Sequence, residues 1–190
     1  MPTIVHEFAW PDRVVVGTVG LPGSRTFYLQ VRTGAQIVSI ALEKQQSALL
    51  AEKIDEMLDQ LMSHEGNPFS IPTNTPVELV DNEPLDQPVA EEFRTGGMSL
   101  GWDPSTVQVV LEAYPLVEVD PGIDDVPDEE LLDAILQEPV EMLLVRMPVG
   151  TARAFAKRTR EVVGAGRTLC PLCGDPIDAD GHTCTLPGSP

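Results

Sequence analysis

Four residues near the C-terminus have the types and the spacing to hold a metal ion: Cys170, Cys173, His182 and Cys184. Cys170-Pro171-Leu172-Cys173-Gly174 reads as a knuckle. A tight turn brings two thiolates to one point, and the glycine lets the backbone turn without a Cβ clash. His182-Thr183-Cys184 supplies the second pair, because side chains at i and i+2 of an extended segment share a face. Thiolates and an imidazole suit zinc, and four protein ligands fill its tetrahedron. No position is left for water, so the zinc expected here is structural. Asp178 or Asp180 lies close enough to replace one ligand. The tail, 168–190, has almost no apolar residues for a core, so metal ligation would be what orders it.

Other chemistry-bearing residues are less convergent. Arg146, Arg153, Lys157, Arg158, Arg160 and Arg167 are half of the 12 basic residues and face one acid, Glu161. A basic helix running into a zinc knuckle could bind nucleic acid. The formal net charge of −18 disfavours that partner. It favours pairing with the acidic stretch 118–141, in the same molecule or in a copy. That stretch holds Glu118, Asp120, Asp124, Asp125, Asp128, Glu129, Glu130, Asp133, Glu138 and Glu141 and no basic residue. Asp120-Pro121-Gly122-Ile123-Asp124-Asp125 lacks the full pattern of a calcium loop and reads as a solvated acidic loop. Gly96-Gly97-Met98-Ser99-Leu100-Gly101 has no following Gly-Lys-Ser/Thr, so a β-bulge is expected instead of a phosphate loop. His6 and His64 lie far apart in the chain, and neither shows a nucleophile–base arrangement. Trp10 and Trp102 flank Pro/Asp corners and are expected to pack at equivalent places.

The elements that must position these residues come from periodicity. Residues 3–9, 13–19, 26–32 and 36–42 alternate or are β-branched and read as a meander of three or four antiparallel strands. The period then changes. Leu50, Ile54, Met57, Leu58 and Leu61 form one stripe of a helix over about 43–63. Five prolines punctuate 67–90, which reads as connection with some strand at 77–80. Strands are expected at 91–100, 106–113 and 140–147, a short acidic helix at about 127–137, and a second long helix at about 149–164. The inner stripe of that last helix is Ala152, Phe155, Ala156, Thr159 and Val163. The fold class is therefore α+β: antiparallel meanders in two similar β-β-β-α halves, two long covering helices, one short acidic helix and a zinc knuckle. The divisions are 1–66, a Pro-rich connection 67–90, 91–167 with an acidic insertion at 118–139, and the tail 168–190. A common way of covering one face of a sheet explains the likeness of the halves as well as duplication does.

Composition sets the remaining bounds. Of 190 residues, 42% are hydrophobic but only 5% aromatic, so the core is expected to be aliphatic. No apolar run approaches the roughly 20 residues of a membrane span. The N-terminal MPTIVHEFAW lacks a basic region followed by an apolar stretch. Three cysteines gathered at a metal motif fit a reducing compartment, so the expected location is cytoplasmic.

FRTGGMSLGWD (93–103), EMLLVRMPVGTARAFAKRTREVVGAGR (141–167) and CPLCGDPIDADGHTC (170–184) resemble the actinobacterial family named Domain of Unknown Function 3090. The resemblance extends over nearly the whole chain. It implies a cytoplasmic bacterial protein with the same Cys-rich end. It implies no activity and brings no catalytic residues.

These readings favour a non-catalytic interaction or adaptor protein with a structural zinc. The alternatives are a nucleic-acid-associated regulator using helix 149–164 and the knuckle, and an enzyme or accessory subunit with a small-molecule cleft between the halves. Metal analysis of the purified chain is expected to give about one zinc per molecule, and Cys173→Ser to lose it. Less than about half a zinc, with the variant equally stable, would exclude the structural-zinc reading.

Overall fold

The structure, a computed structural model, describes residues 4–21, 23–116 and 141–166. The period-2 runs become seven strands: β1 (Ile4–Phe8), β2 (Arg13–Val19), β3 (Thr26–Thr33), β4 (Gln36–Leu42), β5 (Glu91–Asp103), β6 (Gln108–Pro115) and β7 (Glu141–Pro148). The two apolar stripes become α1 (Lys44–Met62) and α2 (Val149–Gly164). The α+β class therefore holds. The acidic helix expected at 127–137 and the tail 168–190 lie outside the described residues. No helix among the described residues is long and apolar enough to cross a membrane.

The strands form one mixed sheet in the order β1-β7-β6-β5-β4-β3-β2. β2-β3-β4 and β5-β6-β7 are antiparallel meanders, each followed by a helix. They join through parallel pairing of β4 with β5. β1 departs from the antiparallel meander expected of it and pairs with β7 in parallel, Ile4 opposite Glu141 and Phe8 opposite Val145. The reason is local. Trp10-Pro11 does not reverse the chain; Asp12 N–H already donates to Arg32 O, so the strand continues into its pairing with β3. Ala9 O is taken by the Gln108 side chain at 2.9 Å.

This connection bends the whole sheet. β1 and β2 are the two edge strands, six steps apart, which in a flat sheet is about 29 Å. Phe8 and Arg13 are five residues apart, a reach of at most about 18 Å. The sheet must curl until its edges approach, and β1 indeed comes close to β3. β5 turns the other corner, with its register slipping between Thr95 and Gly97. A Cβ on Gly96 would stand 2.7 Å from Leu116 Cα and 2.9 Å from Pro115 O, so glycine is required there. The bulge expected at Gly96-Gly97 is thus a structural corner.

Inside the curl, alternate residues meet in one core. Val16, Leu29 and Ile40 come from one part of the sheet, and Phe8, Leu111 and Val145 from the other. Leu50, Ile54 and Leu58 of α1 close the cluster with Ala152, Phe155 and Ala156 of α2. Near the end of α2 the buried valine is Val162, with Val163 only half-buried. Trp102 packs edge-on against Phe69 with centroids 5.1 Å apart, whereas Trp10 is 62% exposed, so the two tryptophans do not occupy equivalent places.

The other side of β2–β4 is covered by the connection. Its expected strand at 77–80 is instead one 3-10 turn, Val77–Leu79. Arg13, buried at the start of β2, fixes the path of residues 81–84. Its Nε donates to Asp81 Oδ2 at 2.6 Å and its Nη2 to Asp81 Oδ1, Glu83 O and Pro84 O at 2.9–3.0 Å. Gln30 then acts as an extra strand rung, exchanging hydrogen bonds with Asp86 O (3.1 Å) and Asp86 N–H (2.7 Å). Leu85 lies over Gly17, where a Cβ would stand 2.5 Å from Leu85 Cγ. Burying that leucine contributes roughly 2 kcal/mol.

The hydrogen bonds from Arg13 hold the Asp81 carboxyl below the usual carboxylate range. A depressed folded value adds stability that is present above the unfolded value, about 3.9, and is lost as pH falls through the folded one. Asp81→Asn is expected to cost about 1–2 kcal/mol at neutral pH, because Arg13 loses its closest counter-charge and keeps only Asp86, at 3.3 Å. It should also flatten the acid limb below about pH 4. Urea midpoints at stepped pH read both effects.

Candidate functional site

Cys170, Cys173, His182 and Cys184, with Asp178 and Asp180, lie outside the described residues, as do Asp120, Asp124 and Asp125. The described residues do define where the tail departs. α2 is capped by Ala165, whose N–H donates to Glu161 O. Arg25, from the loop between β2 and β3, donates Nη1 to Ala165 O at 2.8 Å and Nη2 to Val162 O at 3.2 Å. A cation on the last carbonyls satisfies orphan acceptors and complements the helix dipole. The chain is therefore anchored a few residues before Cys170.

The basic residues of α2 have partners within the body. Arg153 is buried and donates to Asp55 Oδ1 (2.8 Å) and Asp59 Oδ1 (2.5 Å) on α1, and to Pro72 O (3.3 Å). Arg160 also pairs with Asp55. Lys157 faces Glu161 at 3.6 Å, and Arg158 points to Asn82 and Glu83 O at 3.5 Å. Arg146 reaches Asp103 Oδ2 at 3.1 Å. Hydrogen bonds from Ser105 and Thr106 hold that carboxyl down at about 2. Much of the basic face thus joins α2 to α1 and to the connection.

A groove of about 500 Å³ opens between α1 and the bulged part of β5. Leu49, Leu50, Met57, Met98 and Leu100 line it, and Leu49 is 53% exposed. Its polar groups are largely engaged. Gln46 accepts from Glu43 N–H (2.8 Å) and donates to Thr95 O (3.1 Å), and Lys53 pairs with Glu56 at 2.6 Å. What remains on offer is mostly apolar, with the Gln60 amide at its border. Gly96-Gly97 borders this groove, and Ser99 donates to Glu112 Oε2 at 2.8 Å.

The histidines separate in character. His64 is exposed at the end of α1. His6 sits part-buried beside two carboxylates from other strands, with its Nε2 2.6 Å from Glu141 Oε1 and 3.8 Å from Glu92 Oε1. No spacing rule points to this group, since its members lie far from His6 in the chain, Glu141 by 135 residues. Only the alternation of β1 is legible, and it places His6 on the same side as buried Phe8.

Fold and site together define an α+β protein with a curled mixed sheet, an apolar groove and a carboxylate–imidazole cluster. The profile of the family described as "Protein of unknown function (DUF3090)" matches residues 6–184, and the chain belongs to that family. No curated protein and no solved structure gives a match.

Arg153→Met is expected to destabilise the fold by about 2–3 kcal/mol, less than a fully buried pair because Asp59 stays exposed. Arg160→Met, at an exposed position, should cost under about 1 kcal/mol. Equal urea midpoints for the two variants would contradict the assignment of Arg153 as the helix–helix anchor.

Proposed function

We propose that this chain is a cytoplasmic protein-interaction or adaptor module. Its groove between α1 and β5 receives apolar side chains of a partner protein, and its tail is ordered by a structural zinc on Cys170, Cys173, His182 and Cys184. The observation that carries the reading is the groove itself. It is lined by exposed Leu49 and by Met57 and Met98, while Gln46, Lys53 and Glu56 beside them are already paired. Flexible, polarizable methionines adapt to varied apolar partners. Exposed apolar area bordered by polar residues is what interaction sites offer. The net charge of −18 selects a cationic partner.

Three supports concern the tail. Its ligand types and spacing suit zinc. The Arg25 cap holds the end of α2 just before it. Free thiolates of this kind persist in a reducing compartment.

The volume of the groove supports a second reading, because about 500 Å³ lies within the range of small-molecule sites. It would make the chain an enzyme or accessory subunit with a cleft where α1 meets β5. The mostly apolar lining favours a protein partner. Engagement of Arg153, Arg158 and Arg160 within the body argues against a nucleic-acid role for helix 149–164.

The test is capture from native cytosol at moderate salt by the wild type and by Leu49→Asp. Proteins held by the wild type and released by the variant, with zinc content and melting unchanged, are the expected result. Identical capture by both chains, or none surviving moderate salt, would sink the adaptor reading.

A further inference from the structure

We propose that His6, Glu92 and Glu141 hold a first-row divalent cation, of the manganese, iron(II) or zinc type, where β1, β5 and β7 approach one another. The site uses no residue of the cysteine-bearing segment and does not depend on the adaptor reading.

The placement comes from backbone pairing. Parallel register sets Ile4 opposite Glu141 and His6 opposite Leu143. Side chains two apart on a strand share a face, so His6 and Glu141 are diagonal neighbours. Glu92 enters from the start of β5, three strands away in sheet order, and reaches His6 because the sheet curls. One imidazole nitrogen and two carboxylate oxygens then lie within 4.8 Å of one another. Each is carried by a strand, so the donors are held on rigid elements.

The electrostatics ask for a cation. Two carboxylates converge on one imidazole, and among the described residues neither meets a lysine or arginine. Arg94, the nearby cation on β5, is turned to Glu43 at 2.9 Å, and Glu91 is engaged by Tyr28. The His6 and Glu141 side chains are only 17% and 20% exposed, so water screens them poorly. A divalent ion would neutralise both acids at once.

The distances allow it. Metal–ligand bonds of about 2.1 Å put tetrahedral ligands about 3.4 Å apart. The 3.8 Å from His6 Nε2 to Glu92 Oε1 is already close to that. At 2.6 Å, His6 Nε2 and Glu141 Oε1 are joined by a hydrogen bond, whose proton occupies the place the metal would take. Exchanging it requires that pair to open by under about 1 Å, within the reach of a glutamate rotamer. One nitrogen and two oxygens make a harder donor set than the thiolates of the tail. They suit manganese and iron(II) as well as zinc, and they leave coordination positions for water or an anionic ligand. Glu92, 44% exposed, marks the solvent side.

The test uses the full chain loaded with a single equivalent of zinc, which thiolates take in preference to a carboxylate–imidazole site, then titrated with Mn²⁺ alone and followed by paramagnetic resonance of the free ion. About one further equivalent is expected to bind. His6→Gln, Glu92→Gln and Glu141→Gln should each weaken it by about 10-fold or more, while His64→Gln leaves it unchanged. For wild type alone, substoichiometric Mn²⁺ should broaden the His6 ring resonances and spare those of His64. That measurement stands even if a variant fails to fold. Absence of saturable binding, binding retained in folded Glu92→Gln and Glu141→Gln chains, or equal broadening of both histidines would overturn the proposal.

Discussion

Four residues, Ala9 to Asp12, join strands that lie at opposite ends of a seven-stranded sheet. That connection is too short for a flat sheet, and much of the architecture depends on it. The edges must approach, so the inward faces of β1–β7 and β2–β4 share a single aliphatic core with both helices. One strand must turn the opposite corner, and β5 does so at Gly96, where no side chain fits. The same curl carries the first residues of β5 across to β1, which is how a histidine at position 6 meets a glutamate at position 92.

A second constraint acts on the outer side. Bending the sheet inward leaves the outer face of β2–β4 to be covered by something other than a helix. The connection after α1 does this with few regular hydrogen bonds of its own. Arg13 offers a fixed fork to Asp81 and two carbonyls, and Gln30 lends its amide as a backbone surrogate. Leu85 then seats where Gly17 has no side chain. Prolines suit such a segment because it needs a defined path and gives up few ladder hydrogen bonds.

Most elements are legible in the sequence because their period is a local property. β2, β3 and β4 match the expected strands within a residue or so, and α1 and α2 nearly coincide with the expected helices. Pairing is less legible. β1 has the same alternation whether it pairs with β2 or β7, so its parallel partner is invisible in the pattern. The segment Val77–Leu79 reads as strand from composition alone, but it forms a 3-10 turn directly after Pro76. The basic stripe on α2 is legible as charge, but its partners on α1 are not, because Asp55 and Asp59 have the spacing of a solvated helix face. The His6 cluster has no local signature. It exists only through sheet closure.

The parallel pairing of β1 with β7 also orders events in time. Glu141 lies well over a hundred positions after its partner Ile4. At ribosomal speeds of about 5–20 residues per second, β1 waits on the order of ten seconds after synthesis before its neighbour exists. β2, β3, β4 and α1 can meanwhile assemble, since each lies close in sequence to its partners. During that interval Phe8 lacks the β7 neighbour beside which it is buried in the finished fold. The nascent chain thus carries Phe8 without its final strand partner throughout that interval, and the closure of the sheet is also what buries it.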